Sequence, residues 1–455
     1  MLYSFFKWLD VKFDFPGAGA FQYISFRMAL AAVVSLILSM IIGKYVIRLL
    51  RKKQVKDDNR EELKLAGVEY KRTTPTMGGI IILASLLVSV LLFNRLDNIY
   101  ILLMCVTTVW LGALGFIDDY IKVFKKNKRG LPAKGKLLGQ ILLGLFVGVV
   151  LFFHPDVVIK EKCNASSYVQ TKEVFGVENA EAKGSHAYQC VESEKSLKTT
   201  IPFVKNHEFN YAVLLRWLGD GYERWAWLVY IPIIILIIMA VSNGANLTDG
   251  LDGLAISTAA VIVVALGVLA YVSGNTIFAD YLNIMYIPNS GELMIFAGAM
   301  LGACLGFYWW NCHPAQVFMG DTGSLAIGGI IAVFAIIIRK ELLLPILCGI
   351  YLVESLSVII QTMYCKIYRK KHKLPKDQLV PVEKRPFWMT PLHHHFQKKL
   401  DHVAEEVGKA DLPEHLKAVE IIETKKNYHE AKIVQRFFII GILLAVLTVL
   451  TLKTR

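Results

Sequence analysis

Ten apolar runs divide the chain, at about residues 24 to 47, 77 to 94, 98 to 115, 136 to 153, 225 to 242, 255 to 272, 293 to 309, 324 to 338, 342 to 365 and 434 to 452. A bilayer core about 30 Å thick takes roughly 20 such residues per helix at about 1.5 Å each. The expected fold class is therefore all-α, a polytopic integral membrane protein of about ten transmembrane helices. Composition agrees: 55% of the 455 residues are hydrophobic and 19% charged, whereas soluble domains run nearer a quarter charged. A secreted disulfide scaffold and a disordered binder are excluded, and a nucleic-acid partner is disfavoured. The net charge of +13 is better placed on loops held at an anionic cytoplasmic leaflet. The run after Phe21 is followed by Arg48, Arg51, Lys52 and Lys53 and lacks a small-residue cleavage site, so it reads as an uncleaved first helix.

The connections after runs one, three and nine are heavily basic, while the one between runs six and seven carries Asp280 and Glu292 and no Lys or Arg. The positive-inside rule then puts the odd-to-even connections in the cytoplasm and both termini outside. The expected organisation is one transmembrane domain over residues 1–455, with an outside-facing insertion at about 154–222 and a cytoplasmic loop at about 366–432 that holds an amphipathic helix. Cys163 and Cys190 share the outside insertion, where an oxidising compartment would permit them to pair.

A carboxylate at the centre of a spanning helix costs on the order of 3 kcal/mol, so the acids are informative. Asp118 and Asp119 end run three in GFIDDYIK, Asp249 and Asp252 follow run five in NGANLTDGLDGLA, and Asp321 follows run seven in PAQVFMGDTGSLA. Each motif alone has a plain alternative: a solvated helix end, a capped turn, a break between spans. Together they put five carboxylates beside glycines at one membrane face, which suits a divalent cation and phosphates. Mg²⁺ takes one or two carboxylates and fills its octahedron with phosphate and water. Zinc fits poorly, because His393, His394 and His395 in TPLHHHF diverge by about 100° per residue on a helix. Gly78, Gly79, Gly250, Gly253, Gly320 and Gly323 permit close backbone approach to anionic oxygens. Lys71, Lys122 and Lys134 are candidate charge partners, each equally readable as an ordinary positive-inside anchor.

With these motifs in order, the sequence resembles the phospho-N-acetylmuramoyl-pentapeptide transferases. KRTTPTMGG, GFIDDYIKV, NLTDGLDGLA, PAQVFMGDTGSLA and TPLHHHF all look like that family's cytoplasmic motifs, over about residues 24 to 453. The likeness departs at 154–222 and 397–432, which look longer than usual. It implies transfer of phospho-MurNAc-pentapeptide from UDP-MurNAc-pentapeptide to undecaprenyl phosphate, giving lipid I and UMP, with Mg²⁺ as cofactor, in the bacterial inner membrane. It further implies a homodimer, contact with membrane lipid and no nucleic acid.

Residue by residue, the likeness implies catalytic roles for Asp118, Asp119, Asp321 and His393. On that likeness Asp321 is expected to be the principal Mg²⁺ ligand, with Asp118 and Asp119 as further candidates. The substrate-binding positions that the likeness implies are Lys71, Thr76, Lys122, Lys134, Asn243, Asn246, Asp249, Gly250, Leu251, Asp252, Asn311, Phe318, His394 and His395, with Phe318 expected to stack on uracil. A polyprenyl-phosphate GlcNAc-1-phosphate transferase shares the aspartates, but the full HHH favours the muramoyl branch. A transporter would place its polar site near the midplane, whereas these residues gather at one face.

Overall fold

The computed structural model describes residues 1–53, 74–127, 129–160, 197–201, 208–219, 221–282, 284–375, 378–409, 413, 417 and 429–452. Among these, nine helices are long and apolar enough to cross a membrane. They include α2 (Ile24–Lys52), α4 (Ile99–Val123), α5 (Ala133–Phe153), α6 (Trp227–Thr248) and α7 (Leu254–Ser273). The remainder are α8 (Leu293–Asn311), α9 (Gly320–Ile337), α10 (Gly349–Lys371) and α12 (Glu430–Leu450). A shorter apolar helix, α3 (Gly79–Phe93, 15 residues), takes the place of the second run. The ten runs thus correspond to ten helices, and the chain is an all-α polytopic membrane protein. One run differs in detail. The ninth opens with a short helical turn at Leu344–Leu347, breaks at Cys348 and restarts as α10.

Helix α9 is the hub. Every residue from Thr322 to Ile337 is buried, and α4, α6, α3 and α7 surround it. Close packing at its start depends on residues without side chains. A Cβ at Gly115 of α4 would stand 2.2 Å from Asp321 O, and one at Gly79 of α3 would stand 2.2 Å from Gly323 N. Here α9 meets α3 and α4 backbone to backbone, so the ends of three helices share one point.

The opposite ends of the bundle are tied by polar contacts that replace water. Arg27 of α2 donates to both carboxylate oxygens of Glu292, at 2.9 and 2.6 Å, and Asn94 Nδ2 donates to Glu292 O at 3.0 Å. Where the outside insertion was expected, β1 (Lys198–Thr200) and β2 (Glu208–Asn210) form an antiparallel pair. This hairpin is fastened beyond α9: Thr200 N–H donates to Arg339 O at 3.1 Å, Lys340 Nζ to Thr200 Oγ1 at 2.5 Å, and Tyr211 OH to Glu341 Oε1 at 2.9 Å. Besides the seven-residue helix Thr276–Leu282, two longer helices among the described residues lie off the spans. The histidines ride on α11 (Leu392–Lys409), within the loop where an amphipathic helix was expected. The other, α1 (Leu2–Phe13), precedes the first run and had not been anticipated.

Candidate active site

Helix α4 delivers Asp118 and Asp119, both buried, to the start of α9. The two carboxylates then diverge, as adjacent helical residues must. Asp119 clamps α9. Its Oδ1 accepts the N–H of Asp321 at 3.1 Å, and its Oδ2 accepts the N–H and the hydroxyl of Thr322 at 2.8 and 2.6 Å. An anionic side chain on the free amides of a helix start is favourable for both hydrogen bonding and the helix dipole.

Asp118 faces the other way, towards cations. Its Oδ1 accepts the Leu131 N–H at 2.7 Å, while Oδ2 lies 2.6 Å from Lys122 Nζ and 2.9 Å from Lys136 Nζ. The same two ammonium groups reach Asp321 Oδ2, at 3.1 and 2.6 Å. Asp321 Oδ1 accepts from Asn246 Nδ2 at 2.9 Å, and that amide also donates to Ser324 Oγ at 2.8 Å. Lys122 and Lys136 remain partly exposed, at 23% and 21%, so the cluster opens to solvent.

Ligand oxygens from Asp118, Asp119 and Asp321 lie within 4.8 Å of one another. Three carboxylates against two ammonium groups leave a net negative, hard-oxygen site, which fits a divalent cation. Asp321, at 14% exposure, is the carboxylate nearest the open side, while Asp118 is without exposure and meets it across Lys122 and Lys136. Asp119 is committed to the α9 backbone through both of its oxygens.

Asp252 organises a second set of contacts. Its Oδ2 accepts the Ala315 N–H at 3.2 Å and lies 3.3 Å from His313 Nδ1, and its own N–H donates to Glu430 Oε1 at 2.9 Å. Asn311 Oδ1 accepts from Gly253 N–H at 3.1 Å and its Nδ2 donates to Val317 O at 2.9 Å. Phe318, itself buried, is held through its backbone: its N–H donates to Pro75 O at 2.9 Å and its carbonyl accepts from Gly78 N–H at 2.8 Å. Buried Thr76 lies in this strap, which joins KRTTPTMGG to PAQVFMGDTGS. Leu251 is buried, and Asp249 closes the C-terminal end of α6.

The three histidines find three different surroundings. His394 Nδ1 is 2.7 Å from Gln397 Oε1, and His395 Nδ1 accepts the Trp388 N–H at 3.2 Å. Burial, with Lys399 nearby, pulls the pKa of His395 below that of free histidine. His393 is without exposure and packs on the Asp249–Asp252 loop, where a Cβ on Gly250 would stand 2.0 Å from its Nε2.

Several expected residues sit elsewhere. Lys134 is exposed in the first turn of α5 with no ion pair among the described residues, and Asn243 Nδ2 donates to Gln140 Oε1 at 2.9 Å and to Met239 O at 2.7 Å. Lys71, Cys163 and Cys190 lie outside the described residues. Lys136, Thr322 and Glu354 had not been singled out. For Glu354 the signal existed, since it is an acid inside the ninth apolar run. For Lys136 there was none, because nothing local separates it from Lys134.

Comparison with known proteins bears on this constellation. The family described as "Glycosyl transferase family 4" matches residues 199–339. Proteins named phospho-N-acetylmuramoyl-pentapeptide-transferase match the whole chain: one from Flavobacterium psychrophilum is 52% identical over 455 residues, covering 100% of both chains. One from Parabacteroides distasonis is 52% identical over 456 residues, again covering 100% of each. Matching over full length, these relatives also span the two insertions that had looked unusually long.

Proposed function

Because the chain belongs to the phospho-N-acetylmuramoyl-pentapeptide-transferase family, we propose that its aspartate and lysine cluster carries that family's reaction. The chain is a membrane-embedded phosphotransferase acting between a nucleotide sugar and a lipid acceptor. The donor on this reading is UDP-MurNAc-pentapeptide and the acceptor undecaprenyl phosphate. An acceptor phosphate oxygen bonds to the sugar-linked phosphorus, the pyrophosphate P–O bond breaks, UMP leaves, and lipid I remains.

The convergence of Asp118 and Asp321 on Lys122 and Lys136 supports this reading. Charge builds on nonbridging phosphate oxygens during transfer, and prepositioned ammonium groups lower its energy. Lys122 and Lys136 neutralise the acceptor and donor phosphates, exchanging part of their contact with the carboxylates for contact with substrate. Asp118 takes the residual proton of the lipid phosphate, whose second pKa lies near 6 to 7. Asn246 fixes Asp321, and Asp119 keeps α9 in register with α4. Mg²⁺, which Asp321 would hold, would supply Lewis-acid charge neutralisation at the phosphates. His394 and His395, with Asp249, Asp252, Asn311 and Phe318, contribute to the nucleotide-sugar side. Because the reactants are one lipid and one soluble molecule, this reading has the site at a membrane face, and the basic loops beside it support the cytoplasmic face.

Purified protein with Mg²⁺ and undecaprenyl phosphate, given UDP-MurNAc-pentapeptide or UDP-GlcNAc in parallel, tests the assignment. Lipid-linked product from the first donor is expected. Product from UDP-GlcNAc alone would remove the muramoyl assignment.

A further inference from the structure

Away from the aspartates, at the other end of α4, a cavity of about 1100 Å³ lies between α1 and the turn at residues 94–97. Asn98 caps the start of α4 and Asp118 lies near its end. At about 1.5 Å per residue that separation is on the order of a bilayer core, so this cavity faces the opposite leaflet. Tyr3, Ser4, Lys7, Trp8, Lys12 and Arg95 are among its walls.

Its charge is unbalanced. Arg95 pairs with Asp97 at 2.8 Å, but Lys7 and Lys12 have no carboxylate partner among the described residues. Lys12 Nζ instead sits 5.3 Å from the Trp8 ring centre. Tyr3 lies between two guanidinium groups, 4.6 Å from Arg27 and 5.4 Å from Arg95. Tyr3 thus sets one wall of the cavity against the Arg27–Glu292 clasp. With 12 residues, α1 is too short to span a bilayer. It leaves Phe5, Trp8, Val11 and Phe13 exposed by half or more. Aromatic rings beside lysines are the composition of a helix lying in the lipid interface.

We propose that this cavity binds the phosphodiester headgroup of an anionic membrane phospholipid in the leaflet opposite the aspartate site. Lys7 and Lys12 supply the unmatched charge, Arg95 a guanidinium shared with Asp97, Ser4 a hydroxyl, and Trp8 with Val11 an apolar wall for the acyl chains. A soluble anion would use the charges but not the rings. A zwitterionic headgroup would use the rings but would carry its own cation into a cationic pocket. The proposal is independent of which sugar nucleotide the enzyme uses.

Native mass spectrometry of the full chain in detergent, titrated with dioleoyl phosphatidylglycerol or dioleoyl phosphatidylcholine, tests it. The first phosphatidylglycerol should bind several-fold more tightly than phosphatidylcholine. Each lysine near a membrane surface is worth about fivefold, so Lys7→Gln/Lys12→Gln should weaken that first phosphatidylglycerol on the order of thirtyfold. Lys7→Arg/Lys12→Arg should keep the preference, which separates loss of charge from loss of fold. Lys370→Gln/Lys371→Gln, at the other membrane face, should not change it. A loss below threefold in the Gln pair, or displacement of the lipid by millimolar inorganic phosphate, overturns the proposal.

Discussion

Glu354 Oε2 lies 3.2 Å from His393 Nδ1, and neither side chain has any solvent exposure. Glu354 Oε2 also accepts the His393 backbone N–H at 3.3 Å, so one carboxylate inside a spanning helix holds both the main chain and the ring of the first histidine. With Nε2 against Gly250, His393 is wedged between α10 and the Asp249–Asp252 loop. It acts there as a strut for that loop. Glu354→Ala should leave a buried imidazole without its partner, at about 1 to 3 kcal/mol. It should raise KM for the nucleotide sugar more than KM for the lipid phosphate. Glu354→Gln, which keeps an acceptor oxygen, should recover most of the difference; equal effects on both KM values would remove the loop-positioning role.

Lys136 and Lys134 are two residues apart on α5, yet only Lys136 reaches the carboxylates. Lys136→Ala should lower kcat on the order of 100-fold, as loss of one prepositioned charge typically does. Lys134→Ala should cost much less. Steady-state kinetics on the pair decides it, and a larger loss from Lys134→Ala would show that the exposed lysine meets substrate.

Asp119 and Asp321 should separate by stability. Asp119→Asn puts an amide donor where backbone N–H groups donate, so unfolding midpoint and activity should fall together, by about 1 to 3 kcal/mol in stability. Thr322→Val, removing only the 2.6 Å hydroxyl bond, should cost about 1 kcal/mol. Asp321→Asn should abolish turnover at ordinary Mg²⁺ and leave the midpoint nearly unchanged. Near-normal turnover in that variant would place the metal ligand elsewhere.

Gly79→Ala should loosen the site from a distance. Its Cβ would stand 2.4 Å from Gly323 Cα, and both groups belong to rigid helix starts. Overpacking of this kind costs about 1 to 3 kcal/mol. Thermal unfolding should show the loss, together with weaker activity as the Phe318 strap shifts; an unchanged midpoint would mean that α3 and α9 separate freely.

Lys340 gives a pH signature. Burial pushes its pKa down to about 8, with Glu341 opposing, while an unfolded lysine titrates near 10.4. Between those values the unfolded chain binds more protons than the folded one, so stability rises with pH across this window. Relative to Lys340→Met, the unfolding midpoint of the native chain should climb from about pH 8 to pH 10. A constant difference would show that Lys340 keeps an ordinary pKa.

The amino-acid sequence determined the number of spans, their rough limits and the gathering of aspartates at one face. Each of these follows from local composition: about 20 apolar residues must form a helix in lipid, and a charge is tolerated chiefly at its end. What the aspartates do to one another was not local. Asp118 and Asp119 are neighbours in sequence, but one faces lysines and the other clamps α9, a division set by where α4 crosses Asp321 at Gly115. The choice of Lys136 over Lys134, the tie from Glu354 to His393 and the cavity under α1 depend likewise on residues far apart in the chain. Hydrophobicity sorts residues into membrane and water, but only the packing of one helix on another sets side chains within 3 Å of each other.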